Sequence, residues 1–267
     1  MSRRLDGGEP GAEASARPAP QRELSAPGPL VVRWHALERA PVEAGALQEA
    51  TVELENGGSA AWRTRGPQDG LFLAYHWLDE RGNPIVWDGR RTPLERAVAP
   101  GETLRQQLVL RGPIPPGRYR LAVDIVEEHR FWLAELGNAP LEESVDVVPR
   151  DASAARTFFP EGAEPVDDWL ELARALHAEG YSAVGGAVEP ERGLLRRRDT
   201  ALAPYAPGGG RHPRFPHPLV CPSLLPPLEP NAEVAGLPAF VAERDEPSMF
   251  DGRLVVRLRS RSRRPPG

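Results

Sequence analysis

Two short phrases gather the side chains in this chain that could do chemistry together. Trp87, Asp88, Arg90 and Arg91 follow one another within five positions, and His129, Arg130 and Trp132 lie within four. His76 belongs with them if the strand that carries it turns that residue outward. A flat ring face beside carboxylate, guanidinium and imidazole groups suits a ligand with one apolar face and a rim of hydroxyls. A sugar ring has that form: its C–H face stacks on an indole while its hydroxyls pair with the polar neighbours. The expected contacts are therefore His76, Trp87, Asp88, Arg90, His129, Arg130 and Trp132. The competing expectation is that Trp34, Trp62 and Trp77 are core and that Trp87 and Trp132 only cap sheet edges.

Other candidate chemistries fail on spacing. His212, His217 and Cys221 offer three metal-ligating types, but a tetrahedral site needs a fourth ligand or an open position, and the prolines between them stiffen a loop without setting that geometry. Gly208-Gly209-Gly210-Arg211 follows Pro207 and opens no helix, so it is not a phosphate loop. No nucleophile elbow, ordered Ser-His-Asp set or paired-carboxylate motif stands out. Neither a catalytic residue nor a cofactor or metal is expected from these patterns.

Strands must position the candidate site. Leu71 to Trp87 reads as a hairpin, with Leu71, Leu73, Tyr75 and Trp77 on one face, Phe72, Ala74, His76 and Leu78 on the other, and a turn at Asp79–Pro84. Both faces are largely apolar, so this strand is covered on two sides. Before it, Leu30–Trp34 is a first strand, and Ala50, Val52 and Leu54 alternate with polar residues up to the Asn56-Gly57-Gly58 turn. After it, Leu104, Gln106, Leu108 and Leu110 share an inward face on which Gln106 needs a buried partner. Tyr119, Leu121, Val123 and Ile125 share another, with Tyr119 placed as a corner tyrosine that ties a turn to its strand. Phe131–Leu133 and Ser144–Val148 close the set. The spacing predicts a mainly β fold: an immunoglobulin-like antiparallel β-sandwich over residues 29–149.

The flanks read differently. Residues 1–28 carry no hydrophobic period and are expected to be a disordered tail. Residues 150–267 read as a Pro/Gly-rich extension, partly irregular, holding one helix–strand unit. In that unit Pro165 takes the first helical position, Asp167 and Asp168 the first turn and Gly180 the end, followed by a strand over Tyr181–Val188. Residues 189–238 are expected to be largely irregular because prolines recur through them. Phe250–Val256 offers a last turn and strand, and arginines crowd the C-terminus.

Composition narrows the setting. The 267 residues carry a formal net charge of -5, which speaks against general nucleic-acid binding. All 33 basic residues are arginine, which the coding bias of a GC-rich genome explains. A single cysteine fits a reducing compartment, and no stretch resembles a secretory signal or a membrane span. Cytoplasmic residence, with no specific nucleic-acid partner, is the expectation.

Three phrases carry a family resemblance: Tyr75-His76-Trp77-Leu78-Asp79 followed by Gly82, the Pro100-Gly101 turn before Thr103, and Pro116-Gly117-Arg118-Tyr119-Arg120-Leu121. Together they resemble the immunoglobulin-like polysaccharide-recognition domain at the C-terminus of ATPase subunits that export bacterial O-antigens. The resemblance covers less than half of the chain. It implies a sandwich that recognises a glycan or glycan precursor in surface-polysaccharide biosynthesis or export. No phosphate-binding loop precedes these phrases, so export itself is not carried over. Two further readings stand behind this one: an accessory module docking on a glycosyltransferase or similar polysaccharide-biosynthesis enzyme, and a small α/β enzyme domain in 160–267. Exposed tryptophans beside a groove favour the first reading, and a flat apolar patch the second.

Overall fold

The computed structural model describes residues 30–64, 70–166, 168–190, 199–202, 205, 218–243 and 245–258. The expected N-terminal tail, the 208–217 loop with His212 and His217, and the arginines beyond residue 258 lie outside the described residues.

Among the described residues, ten strands precede residue 149: β1 (Val32–Arg39), β2 (Val42–Glu43), β3 (Leu47–Asn56), β4 (Leu71–Leu78), β5 (Pro84–Val86), β6 (Thr92–Pro93), β7 (Thr103–Arg111), β8 (Gly117–Glu127), β9 (Phe131–Trp132) and β10 (Leu141–Val148). They form a three-stranded sheet, β1-β3-β7, and a seven-stranded sheet, β2-β10-β8-β4-β5, with β6 paired to β4 and β9 to β8. All pairs are antiparallel except β2 with β10. The alternation seen in the sequence is the reason the sheets face one another. Ala50, Val52, Leu54, Leu104, Leu108 and Leu110 from one meet Leu71, Leu73, Tyr75, Trp77, Leu121, Val123 and Ile125 from the other in a single core.

Several polar groups inside this core are matched, although the buried Trp62 indole N–H has no partner among the described residues. The Gln106 side chain donates to the Pro93 carbonyl at 3.2 Å and accepts the Glu95 N–H at 3.1 Å, which supplies its buried partners. Tyr119 Oη donates to the Pro115 carbonyl at 2.7 Å, closing the corner. Asn56 donates to the Ala60 and Val98 carbonyls, each at 2.9 Å, and the turn it stabilises folds Trp62 into the core. Trp62 and Trp77 are fully buried, whereas Trp34 packs half-buried against the core edge and donates its indole N–H to the Ala139 carbonyl.

The C-terminal part contains β11 (Arg156–Thr157), β12 (Ala163–Pro165), α1 (Trp169–Glu179), β13 (Ala183–Pro190), α2 (Asp199–Leu202), β14 (Leu219–Val220), β15 (Ser223–Leu224), β16 (Ala232–Val234), β17 (Leu237–Phe240) and β18 (Ser248–Leu258). The expected helix and strand are present as α1 and β13, but they do not stand alone. A five-stranded sheet runs β11-β15-β13-β18-β12, with β13 and β18 parallel, and β14-β17-β16 form a small second sheet. Trp169, Ala173 and Leu176 of α1 cover Val184, Val188, Leu254 and Val256 in a second core.

Two expectations are corrected here. Within the span expected to be largely irregular, residues 219–220, 223–224 and 232–234 are short strands lying between prolines, and 237–240 is a strand that takes a proline inside it. Pro238 sits within β17 and contributes its carbonyl, which accepts the Cys221 N–H at 2.9 Å. Pro165 is not the first residue of the helix. It closes edge strand β12 opposite Val256, where a missing N–H is tolerated, and α1 begins at Trp169.

The two parts touch where backbone meets backbone. Gly45 has φ +64°, and a Cβ there would fall 1.9 Å from the Gly180 carbonyl oxygen. Gly180, with φ +123°, lies against Ala44 in turn. The Arg150 N–H donates to the Ala178 carbonyl at 3.0 Å across the same joint. Among the described residues no helix is long and apolar enough to cross a membrane.

Candidate functional site

The outward face of β4 is where the predicted residues meet. His76 pairs with Ala122 in the β4–β8 register, and Phe72 and Ala74 precede it on the same face, packed with Val126 and Trp132. The Trp87 ring stacks on the His76 imidazole, with centroids 4.2 Å apart and planes 21° from parallel. Trp132 tilts against the same imidazole at 4.3 Å, and the two indoles lie 6.4 Å apart. Trp87 is 57% exposed, so with one face on the imidazole its other face is turned to solvent. His76 is only 6% exposed, so it supports the ledge from beneath and is not the open contact expected of it.

Local sequence explains the stack. Trp87 follows the short edge strand β5 directly, and the chain must then fold down onto β4. Gly89 permits this, since its N–H donates to the Tyr75 carbonyl at 3.0 Å and a Cβ would fall 2.5 Å from that oxygen. His76 Nδ1 bonds the Trp87 carbonyl, and because a carbonyl only accepts, Nδ1 carries the proton and Nε2 remains the acceptor. Burial pulls the His76 pKa below its ordinary value. The Trp87 carbonyl opposes that shift, Arg91 adds to it and Asp88 opposes it more weakly. The imidazole under Trp87 is therefore neutral at pH 7.

Arg91 locks the loop to the neighbouring hairpin. Its guanidinium reaches Glu128 at 3.0 Å, the Gly89 carbonyl at 2.8 Å and Asp88 at 2.6 Å, and lies 4.8 Å from the Trp132 ring centroid. Trp132 is fixed from the other side by the 3-10 turn Leu133–Leu136. Its N–H donates to Glu135 at 3.1 Å, and the buried Asp124 carboxylate accepts the Ala134 N–H at 3.1 Å and the Ile125 N–H at 2.7 Å. Burial pushes the Asp124 pKa up to about 6, against those two hydrogen bonds and with a small push from Glu135.

The remaining predicted residues lie around this cluster without joining the stack. Asp88 is at its edge, held through Arg91. His129 occupies the tip of the 127–130 turn, exposed, with φ +61°. Arg130 pairs with Glu127 at 2.5 Å and lies over Phe131. Arg90 pairs with Asp245 of the C-terminal part at 3.7 Å and makes no ring contact. The sequence reading missed Gly89, Glu128 and Asp124. A glycine following Trp-Asp signalled the first, and nothing local signalled the other two.

Elsewhere, Cys221 is buried and its thiol is pushed up to about 12 by that burial, which removes it from thiolate chemistry at neutral pH. Among the described residues no group of three metal-ligating side chains comes together. His177 receives the Ser223 hydroxyl on Nε2 at 2.9 Å and bonds the Tyr181 carbonyl through Nδ1 at 2.7 Å. Both side chains are buried, so the pair tethers the end of α1 to β15 and meets no solvent.

No family model matches the chain, and no curated protein matches it. Among solved structures it is similar to the C-terminal domain of wzt, with 12% identity and a TM-score of 0.31 over 46% of this chain and 77% of that one. A family 123 glycoside hydrolase from Clostridium perfringens is similar at 10% identity and TM-score 0.24, over 40% of this chain and 22% of that one. A β-glucuronidase of glycoside hydrolase family 2 is similar at 12% identity and TM-score 0.27, over 63% of this chain and 14% of that one. These are weak likenesses of fold. They carry no argument about ligand or activity.

Proposed function

We propose that the protein is a non-enzymatic carbohydrate-recognition module whose contact surface is the Trp87 ledge, taking a glycan or glycan precursor of bacterial surface-polysaccharide biosynthesis or export. The observation that carries this reading is the stack itself: an indole more than half exposed, held flat on a neutral imidazole and braced by Trp132 and Arg91. A ring fixed in this way loses little freedom when a ligand lands on it, which favours stacking with a rigid sugar face. Asp88 at the edge and His129 and Arg130 on the adjacent turn offer hydrogen-bonding groups to hydroxyls.

A second reading, a docking surface for a polysaccharide-biosynthesis enzyme, draws support from Ile85 and Leu136, which are exposed apolar residues near Trp87 and Trp132 in sequence. A glycan array that includes bacterial surface polysaccharides separates the two. Wild-type binding that falls at least about tenfold in Trp87→Ala, with an unchanged melting temperature, supports the sugar ledge. A folded wild type that binds nothing on the array removes the carbohydrate reading and leaves the docking surface.

A further inference from the structure

The charges around the ledge restrict which sugars it can hold. Three arginines lie beside the rings or on their flanking loops, and each is already matched. Arg91 is divided among Asp88, Glu128 and the Gly89 carbonyl, Arg130 is held by Glu127, and Arg90 faces Asp245. Recognition of a carboxylate, sulfate or phosphate calls for an uncommitted guanidinium or ammonium group. Freeing Arg91 for that purpose would strip Asp88 and Glu128 of their partner and release the loop that carries Trp87. Carboxylates also outnumber the cations among the described residues here: Asp88, Asp124, Glu127, Glu128, Glu135 and Asp245 against Arg90, Arg91 and Arg130, an excess of three at neutral pH.

The same arrangement suits an uncharged ring. Asp88 spends one oxygen on Arg91, and its side chain is 70% exposed, so the second oxygen can accept a hydroxyl proton. We propose that the Trp87 ledge selects an uncharged pyranose and discriminates against uronate, sulfated or phosphorylated sugars. This inference rests on the carbohydrate reading above. Three net negative charges roughly 8 Å from a ligand anion, in water, weaken its binding on the order of tenfold. That penalty is close to full at ~10 mM salt and falls to about threefold or less at physiological ionic strength, where the Debye length is near 8 Å.

The test uses the full chain and a panel of uronate-containing bacterial polysaccharides, each also prepared in carboxyl-reduced form, so that linkage is constant and only charge differs. Affinities measured by intrinsic fluorescence or calorimetry at low and at physiological salt should favour the reduced member about tenfold at low salt. The preference should shrink as salt rises while the affinity for the reduced member stays constant. In a Glu127→Gln, Asp245→Asn double variant, which removes two of the three excess charges and frees Arg130 and Arg90, the preference should fall to about twofold or less, or reverse, with neutral-sugar affinity kept within about twofold. Each single variant should fall between, which keeps the test informative if the double variant folds poorly. Equal or tighter binding of the acidic member by the wild type overturns the inference while leaving the carbohydrate reading intact. Binding of neither member in any pair removes that reading, and this inference with it.

Discussion

Asp124 offers a prediction whose sign changes with pH. Its side chain is buried on the outward face of β8, 1% exposed, beneath the turn that presents Trp132, and its pKa is raised from 3.8 to about 6 by that burial. Below pH 3.8 the carboxyl is protonated in folded and unfolded chains alike, and burial carries no ionic cost. Between pH 3.8 and 6 the unfolded chain releases a proton that the folded one keeps, so stability falls as pH rises. Above about pH 6 the whole penalty stands, on the order of 3 kcal/mol for about two pKa units. Asp124→Asn removes the titration, but only one of the two side-chain acceptors survives, so the Ala134 or Ile125 N–H loses its partner for about 1 kcal/mol. The variant should therefore be less stable than wild type by about 1 kcal/mol near pH 3.5 and more stable by about 2 kcal/mol at pH 7.5, with the curves crossing between about pH 4 and 5. Urea unfolding followed by tryptophan fluorescence across that range measures the difference directly. A difference that stays constant from pH 3.5 to 7.5 would refute the reasoning, because it would mean that Asp124 carries no raised pKa in the folded protein.

Other outcomes follow from burial and backbone geometry. Trp77→Ala should cost about 3–5 kcal/mol in denaturant unfolding, since its ring is fully buried between Tyr75 and Tyr119 and its N–H serves the Arg111 carbonyl. A loss below about 1 kcal/mol would contradict an enclosed ring. His129→Gly should raise stability by about 0.5–1 kcal/mol by relieving the left-handed backbone, and should weaken glycan binding if the imidazole is a contact. Better stability with unaltered affinity would take His129 out of the site.

Strand alternation made the sandwich readable. Ala50, Val52 and Leu54, or Leu104 through Leu110, can bury one face only by lying in sheets, and the need for partners at Gln106 and Tyr119 follows from the same alternation. The C-terminal sheets were not readable in the same way. Strands of two to four residues, set among prolines or holding one, leave no period to detect, and the β13–β18 pairing joins segments more than sixty positions apart. Pro165 misled because a proline before an amphipathic run suits both a helix start and a strand edge, and only the partner strand decides.

The candidate site divides along similar lines. Trp87, Asp88, Arg91 and Trp132 stand out as residue types gathered in two short phrases, but the order in which they stack depends on Gly89 lying against Tyr75. Asp124 alternates with core residues and reads as an outward, solvated carboxylate. Only the return of Leu133–Leu136 over it makes it buried. His76 was placed on the correct face, yet nothing within its strand could tell that Trp87 would cover it.

The glycine-to-glycine contact between residues 45 and 180 bears on how portable the recognition surface is. A designer wishing to transplant the sandwich onto another protein would cut near residue 149, and that cut uncovers Ala44, Ile114 and Arg111, which now lie against the C-terminal part. It also removes Asp245, the partner of Arg90. The fragment would gain an apolar, cationic scar on one flank, with Arg90 free at the border of the ledge. A graft made in this way would tend to stick to acidic surfaces that the parent leaves alone, so the donor segment should carry a carboxylate at the former position of Asp245 and a polar cover over Ala44.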